Sequence, residues 1–253
     1  MNVAGLSAVG IVRSHNEDAI YHTTSQAGPF PNLFIVADGM GGHNAGEVAS
    51  EKSLDYFRDF IKDAELPPKS TPMDVTSLLV LAVDHANKNV YELSLTSPEY
   101  TGMGTTFSAC VITDGELAVA HIGDSRIYII SQDQITQVTT DHTYVAEMVQ
   151  AGHIDPRDAK THPNRNQLTR VLGCPPPICV DGNLHDLSGA SAVLLCSDGL
   201  TDMLSDEEIM HIISQDTPPE TRVQALIDAA NNNGGIDNIS AIIIDVKGES
   251  IEA

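Results

Sequence analysis

The chain has 253 residues, and 35 acidic side chains against 13 basic ones leave a formal net charge of −22 at neutral pH. Such a surface repels nucleic acid and anionic lipid, so neither is expected as a partner, whereas basic segments of other proteins are attracted to it. The composition is 42% hydrophobic without any Trp, no apolar run approaches the roughly 20 residues of a membrane span, and the N-terminus lacks the charged-then-apolar pattern of a secretory leader.

Residues 3–12 and 19–24 read as two strands joined by the polar turn Arg13-Ser14-His15-Asn16-Glu17-Asp18. The wholly apolar run Leu33-Phe34-Ile35-Val36-Ala37 reads as a strand buried on both faces. A helix is expected from near Asn44, where Glu47 three residues on resembles a capping box, and Val48, Ala49, Tyr56, Phe57, Phe60 and Ile61 give it one apolar side. Pro67-Pro68 and Pro72 mark the break before a second helix, on which Val75, Leu79, Ala82, Ala86, Val90 and Leu93 recur at three- and four-residue steps. Four strand-like runs follow at 105–113, 116–123, 126–131 and 134–139, with Asp114-Gly115 as a hairpin signal between the first two. Residues 140–172 break this pattern; they are polar, carry Gly152, Pro156 and Pro163, and leave room only for short helices. Strands resume near 178–186 and 192–197, Ser205 with Glu208 and Thr217 with Pro218 and Glu220 announce two more helices, and a last strand covers 239–246.

Regular strand–helix alternation is absent, which argues against a doubly wound parallel sheet. The pattern predicts an α+β fold: a central β-sandwich of two mostly antiparallel sheets flanked by helix pairs, in α-β-β-α order. No Gly/Ser/Pro-rich linker divides it, so a single domain over 1–253 is expected, acting as a monomer in the cytoplasm and carrying no membrane anchor. Cys110 and Cys196 fall inside strand runs and read as small buried hydrophobes. Neither a Cys-x-x-Cys pair nor a His-Glu-x-x-His motif occurs, which excludes the common zinc spacings.

The acids are more telling. Asp38-Gly39 ends one apolar run, Asp198-Gly199 follows another, Asp124 follows Leu117-Ala118-Val119-Ala120-His121-Ile122-Gly123, and Asp237 precedes Ile239-Ser240-Ala241-Ile242-Ile243-Ile244. Any one Asp-Gly is ordinarily a turn. Carboxylates at four strand ends can meet only around positive charge, and hard divalent cations such as Mn²⁺ and Mg²⁺ prefer such oxygen donors. Two ions about 3.5–4 Å apart can share a water and lower its pKa. Arg13 offers a planar fork for phosphate oxygens. His43, after Gly41-Gly42, has free approach to a ligand and is a candidate proton donor.

Taken in order, Arg13 with Asn16-Glu17-Asp18, Asp38-Gly39-Met40-Gly41-Gly42-His43, Gly104-Thr105-Thr106, Gly123-Asp124-Ser125-Arg126, Ser197-Asp198-Gly199-Leu200 and Asp237-Asn238-Ile239-Ser240 resemble the ordered motifs of the metal-dependent PPM (type 2C) Ser/Thr protein phosphatases, in their bacterial form. The resemblance implies hydrolysis of phosphoserine and phosphothreonine in proteins by a water bridging two divalent ions, Mn²⁺ or Mg²⁺, in opposition to Ser/Thr kinases. It implies that Asp38 bridges both metals, that Gly39 offers its carbonyl, and that Asp198 and Asp237 bind one ion directly. Glu17 and Asp18 are implied to act through water, and Asp124 with Asp198 to form a third, weaker metal site. Arg13 is implied to bind the substrate phosphate and His43 to protonate the leaving oxygen. Residues 140–172, with Asp141-His142-Thr143 and Asn166-Gln167-Leu168-Thr169-Arg170, fall where the family carries its flap. The alternatives are a phosphoprotein-binding module without turnover and a small-molecule phosphoesterase.

Overall fold

The computed structural model describes residues 1–42, 45–132, 134–159 and 161–246. Two antiparallel sheets face each other. One holds β1 (Asn2–Ala8), β11 (Ile239–Asp245), β10 (Ala190–Cys196), β7 (Arg126–Ser131) and β8 (Ile135–Gln137), in that order across the sheet. The other runs β2 (Asp18–Thr23), β3 (Leu33–Met40), β5 (Phe107–Thr113), β6 (Glu116–Ile122) and β9 (Asp181–Asp186), with the two-residue β4 (Gly104–Thr105) paired to the end of β3.

Strand periodicity explains why the apolar runs are unbroken. Successive side chains point to opposite faces, and here both faces are covered. Phe34 and Val36 on β3 pack between the sheets against Val193 and Leu195 of β10 and Ile242 and Ile244 of β11. Their neighbours Leu33, Ile35 and Ala37 turn outward onto α1 (Ala45–Lys62) and α2 (Pro72–Ser94), through Phe57, Ile61, Leu79 and Val83. The second sheet face is covered in the same way. Leu194, Cys196, Ala241 and Ile243 meet Ile209 and Ile213 of α6 (Asp206–Ile213) and Val223, Leu226 and Ile227 of α7 (Pro219–Asn232). The layers are therefore α-β-β-α, as the pattern predicts. Cys110 and Cys196 are buried in these layers.

Several boundaries differ from expectation for local reasons. β1 stops at Ala8 and does not continue to residue 12. Gly10 takes φ +81°, and a Cβ there would stand 2.1 Å from the Asp237 carbonyl, so the chain leaves the sheet and lies against the segment before β11. Pro72 opens α2 rather than separating it from what precedes: it occupies the first turn, where no amide hydrogen is required, behind a Thr71/Asp74 capping box. Asp114 and Gly115 both adopt positive φ, 50° and 77°, in the two-residue β5–β6 hairpin. Among its described residues the stretch 140–172 holds only the short helices α3 (Tyr144–Gln150) and α4 (Pro156–Ala159), as expected. Asn44, the expected cap of α1, lies outside the described residues.

The Thr71 hydroxyl accepts from the Asp74 amide, and the Asp74 carboxylate accepts from the Thr71 amide, at the start of α2. Thr71→Ala is expected to cost about 1 kcal/mol, seen as a fall in Tm of about 2–4 °C. An unchanged Tm would mean that the cap contributes nothing.

Candidate active site

The acids meet at one end of the sandwich, brought together from both sheets. In the first sheet Asp18 on β2 lies directly across from Asp38 on β3. Asp38 therefore sits inside β3, which runs on to Met40, and not at its end. Its main chain is held from several directions: Thr106 Oγ1 accepts from the Asp38 amide at 2.9 Å, and the Asp38 carbonyl accepts from the Thr106 amide at 2.8 Å and the Thr105 hydroxyl at 2.9 Å. Gly39 leaves room for two other backbones, since a Cβ there would stand 2.2 Å from the Gly46 carbonyl and 2.5 Å from that of Glu17. In the second sheet Asp198 opens the single-turn helix α5 (Asp198–Thr201), directly after β10. Asp237 stands two residues before β11, and Asp124 follows β6.

Small polar residues join the sheets. Ser197 and Ser240 both donate to Asp18 Oδ2, at 2.8 and 2.6 Å. Ser197 occupies the cap position of α5 but makes no cap bond with its side chain. Asn238 accepts from the Glu17 amide at 2.8 Å and donates to the carbonyls of Val9 and His15 at 2.9 and 2.8 Å. These three side chains set the acids in place, and motif reading did not assign them a role. Their signal was a polar residue within or beside an otherwise apolar strand.

The electrostatics are those of crowded like charges. Burial raises the Asp38 carboxyl well above its ordinary range, and Asp18, Asp198, Asp124 and Asp237 add to the rise. Asp198 is raised well above its usual value by burial and then by Asp124, Asp202, Asp237 and Asp18. Burial pushes Asp124 up to about 7 and Asp18 to about 6. It also raises Glu17 and Asp202. Arg13 answers from the rim, its Nη2 donating to Asp237 Oδ2 at 2.8 Å with both side chains substantially solvated, and Arg126 offsets part of the rise at Asp124.

Asp18 Oδ1 and Glu17 Oε1 are buried without any hydrogen-bond partner. Buried carboxylate oxygens left in this state are costly, and hard divalent cations or their water shell satisfy them best. Among the described residues, no three His, Cys, Asp or Glu side chains already form a close ligand shell. The fit to a cation therefore rests on the orphaned oxygens, the all-oxygen donor set and the mutual repulsion of the acids. Asp38, Asp198, Asp237, Asp124, Glu17 and Asp18 are thus within one electrostatic cluster, with Arg13 at its edge. Gly39 sits beside Asp38 on β3, and His43 lies outside the described residues.

Beyond the acids, residues 140–172 are clamped at their root. The His142 amide donates to the Gly123 carbonyl at 2.8 Å, and the Gly123 amide donates to His142 Nδ1 at 3.1 Å. The proton is then on His142 Nε2, which faces Asp181 Oδ2 at 3.1 Å. Arg170 donates to the other oxygen of Asp181 at 3.1 Å, and the Thr169 amide donates to the His142 carbonyl at 2.8 Å. Arg126 grips Asp141 with Nε and Nη2, at 3.0 and 2.7 Å. His121, stacked near His142 with ring centroids 4.9 Å apart, is pushed down to about 4 by burial and stays neutral. The first end of the insertion is thereby fixed beside Asp124, and the second to His142 and to Asp181 at the start of β9 (Asp181–Asp186).

The chain is similar in sequence and fold to known proteins. Residues 11–226 match the Protein phosphatase 2C family. The protein phosphatase PhpP of Streptococcus pneumoniae is 35% identical over 252 residues, covering 100% of both chains. The crystal structure of the Ser/Thr phosphatase Stp1 from Staphylococcus aureus superposes with TM-score 0.89 at 32% identity, covering 97% of this chain and 95% of that one. The catalytic domain of the Ser/Thr protein phosphatase PstP, solved in complex with 2 manganese ions, matches with TM-score 0.79 at 32% identity, over 96% of this chain and 97% of that one. The chain belongs to the protein phosphatase 2C family. Its α-β-β-α sandwich is the fold of the bacterial phosphatases in that family.

Cation binding is testable by heat. Mn²⁺ at about 100 times its dissociation constant should stabilise the protein by about 2.7 kcal/mol, which is about 5–10 °C in Tm at roughly 2–4 °C per kcal/mol. Asp38→Asn removes one negative charge from the cluster. Its metal-free form should melt above metal-free wild type, and Mn²⁺ should then raise its Tm little. Equal Mn²⁺ increments in both proteins would remove Asp38 from the cation site.

Proposed function

We propose that the chain is a divalent-cation-dependent hydrolase of phosphoserine and phosphothreonine in proteins, acting against Ser/Thr kinases as a cytoplasmic monomer, with residues 1–253 as one catalytic domain and about 140–172 as its flap. The single observation that carries this reading is the cluster of desolvated carboxylates from both sheets with an arginine at its open edge. Family membership and the phosphatase activity named for the relatives support it. The absence of any described helix long and apolar enough to cross a membrane is compatible with it.

In this reading Asp38, Gly39, Asp198 and Asp237 hold two core ions, Mn²⁺ or Mg²⁺. Glu17 and Asp18 act through water, and Asp124 with Asp198 holds a third, weaker ion. When bound, the cations neutralise the cluster and activate the attacking water. The protein does the rest. Arg13 keeps donors free beyond the one engaged by Asp237, and these orient the phosphoryl oxygens. Ser197, Ser240 and Asn238 hold the acids so that no reorganisation is needed when charge develops. His43 delivers the proton to the departing Ser or Thr oxygen.

Hydrolysis of an aryl phosphate and of a phosphothreonine peptide should require Mn²⁺ or Mg²⁺ and stop with chelator. Asp38→Asn should lower kcat by at least about 10³, the scale of removing a charge-stabilising group; turnover that survives this change, or that needs no metal, refutes the reading. His43→Ala should slow the peptide about 10²-fold or more while sparing aryl phosphates, whose leaving groups need little protonation. Equal losses on both substrates would take His43 out of the acid role. Replacing 143–165 by a relative's segment should change preference among protein substrates and leave aryl phosphates alone. Equal change in both would deny the flap a selecting role.

A further inference from the structure

Exposed apolar side chains are not spread evenly over this acidic protein. Among the described residues ten large hydrophobic side chains are exposed. Five of them, Val9, Ile11, Val12, Met40 and Ile236, lie within four positions of Arg13, Asp38 or Asp237. Single exposed aliphatics need no explanation, but a local concentration beside a functional site does.

Two separate stretches of chain build this concentration, and the backbone holds them together. The amides of Ile11 and Val12 both donate to the Gly235 carbonyl, at 2.8 and 3.1 Å. Asn238 Nδ2 donates to the Val9 carbonyl at 2.9 Å. The surfaces touch as well, since a Cβ on Gly235 would stand 3.0 Å from Ile11 Cγ1. Ile11 and Val12 are 65% and 66% exposed, and Ile236 is 42% exposed. Ile236 also lines a groove of about 480 Å³ together with Asp124, Asp198, Asp202 and Met203. The apolar stretch is thus continuous with the acid cluster, and it reaches the Arg13–Asp237 pair directly along the chain.

We propose that Ile11, Val12 and Ile236 form an apolar ledge that docks an aliphatic side chain flanking the phosphorylated Ser or Thr of a protein substrate. The inference rests on the phosphatase reading and adds a preference for one substrate class. A phosphoryl group held by Arg13 brings the neighbouring residues of its own chain within about 7 Å, the reach of two extended residues. The ledge is pre-ordered by its backbone bonds, so docking costs little entropy on the protein side. Three side chains are far fewer than the roughly 20–30 residues a side of a stable protein interface, and they suit one aliphatic group of a bound peptide. The groove next to the ledge is lined by Asp124, Asp198, Asp202 and Asp206, so an apolar neighbour is accepted where a further acid is repelled.

The test compares phosphothreonine peptides that differ only by Leu or Gly within two positions on either side of the phosphothreonine, with Mn²⁺ and with an aryl phosphate as control. Wild type should show a kcat/KM about tenfold higher for the Leu peptides, the scale of a modest hydrophobic contact. Ile11→Ser, Val12→Ser and Ile236→Ser should each reduce that ratio, and the triple variant should bring it below about twofold. Aryl phosphate turnover should stay unchanged throughout, which also reports that the variants are folded. Equal turnover of Leu and Gly peptides by wild type, or a Leu preference intact in the triple variant, overturns the ledge and leaves the phosphatase reading standing. Turnover of the aryl phosphate with no peptide hydrolysed overturns both. Sedimentation of wild type as a dimer and of the triple variant as a monomer would show that a second copy covers the ledge, and would also overturn it.

Discussion

Repulsion among crowded carboxylates is the constraint around which this molecule is built. Asp18 and Asp38 come from one sheet, Asp198 and Asp237 from the margin of the other, and Asp18, Asp198 and Asp237 each raise the cost of ionising Asp38. Left to itself this repulsion would push the sheets apart at that end. Ser197 and Ser240 oppose it by giving both their hydroxyl protons to one oxygen of Asp18 across the gap. The apolar layer between the sheets holds the rest. Fold and chemistry therefore share a boundary: where the hydrophobic layer stops, hydroxyls take over, and beyond them the acids begin.

Much of this was legible in the sequence because the strands are unusually plain. Runs such as Leu33–Ala37 and Ala192–Cys196 are apolar at every position, and a strand covered on both faces has no other way to look. An acid at the margin of such a run stands out, which is why Asp38 and Asp198 could be singled out. The Ser205/Glu208 capping box and the Asp114-Gly115 hairpin were equally readable, since both are local.

What was not legible depends on partners far away in the chain. Asp18 is joined to Ser197 and Ser240 across 179 and 222 positions, and no local pattern announces such a pair. β1 looked longer than it is because Val9, Ile11 and Val12 carry strand-like side chains. The backbone of Gly10 and the amides of Ile11 and Val12 commit that stretch to the loop at Gly235 instead. Pro72 looked like a separator because proline opposes helix interiors, whereas at the first turn the same ring is pre-set for one. His142 stands within the readable run Asp141-His142-Thr143, but its place between Gly123 and Asp181 is set by partners distant in the chain.

The Arg13–Asp237 pair bears on how the reaction ends. Arg13 is the only cation bonded to the acid cluster among the described residues, and it is half-exposed and already shared with a carboxylate. In the proposed reaction, inorganic phosphate freed beside Arg13 would find a grip that a neighbouring acid is ready to take back, in a protein of net charge −22. The departing dianion would be expelled outward by the same surplus of negative charge that bound cations would restrain within, so clearing the cleft would need no separate exit device.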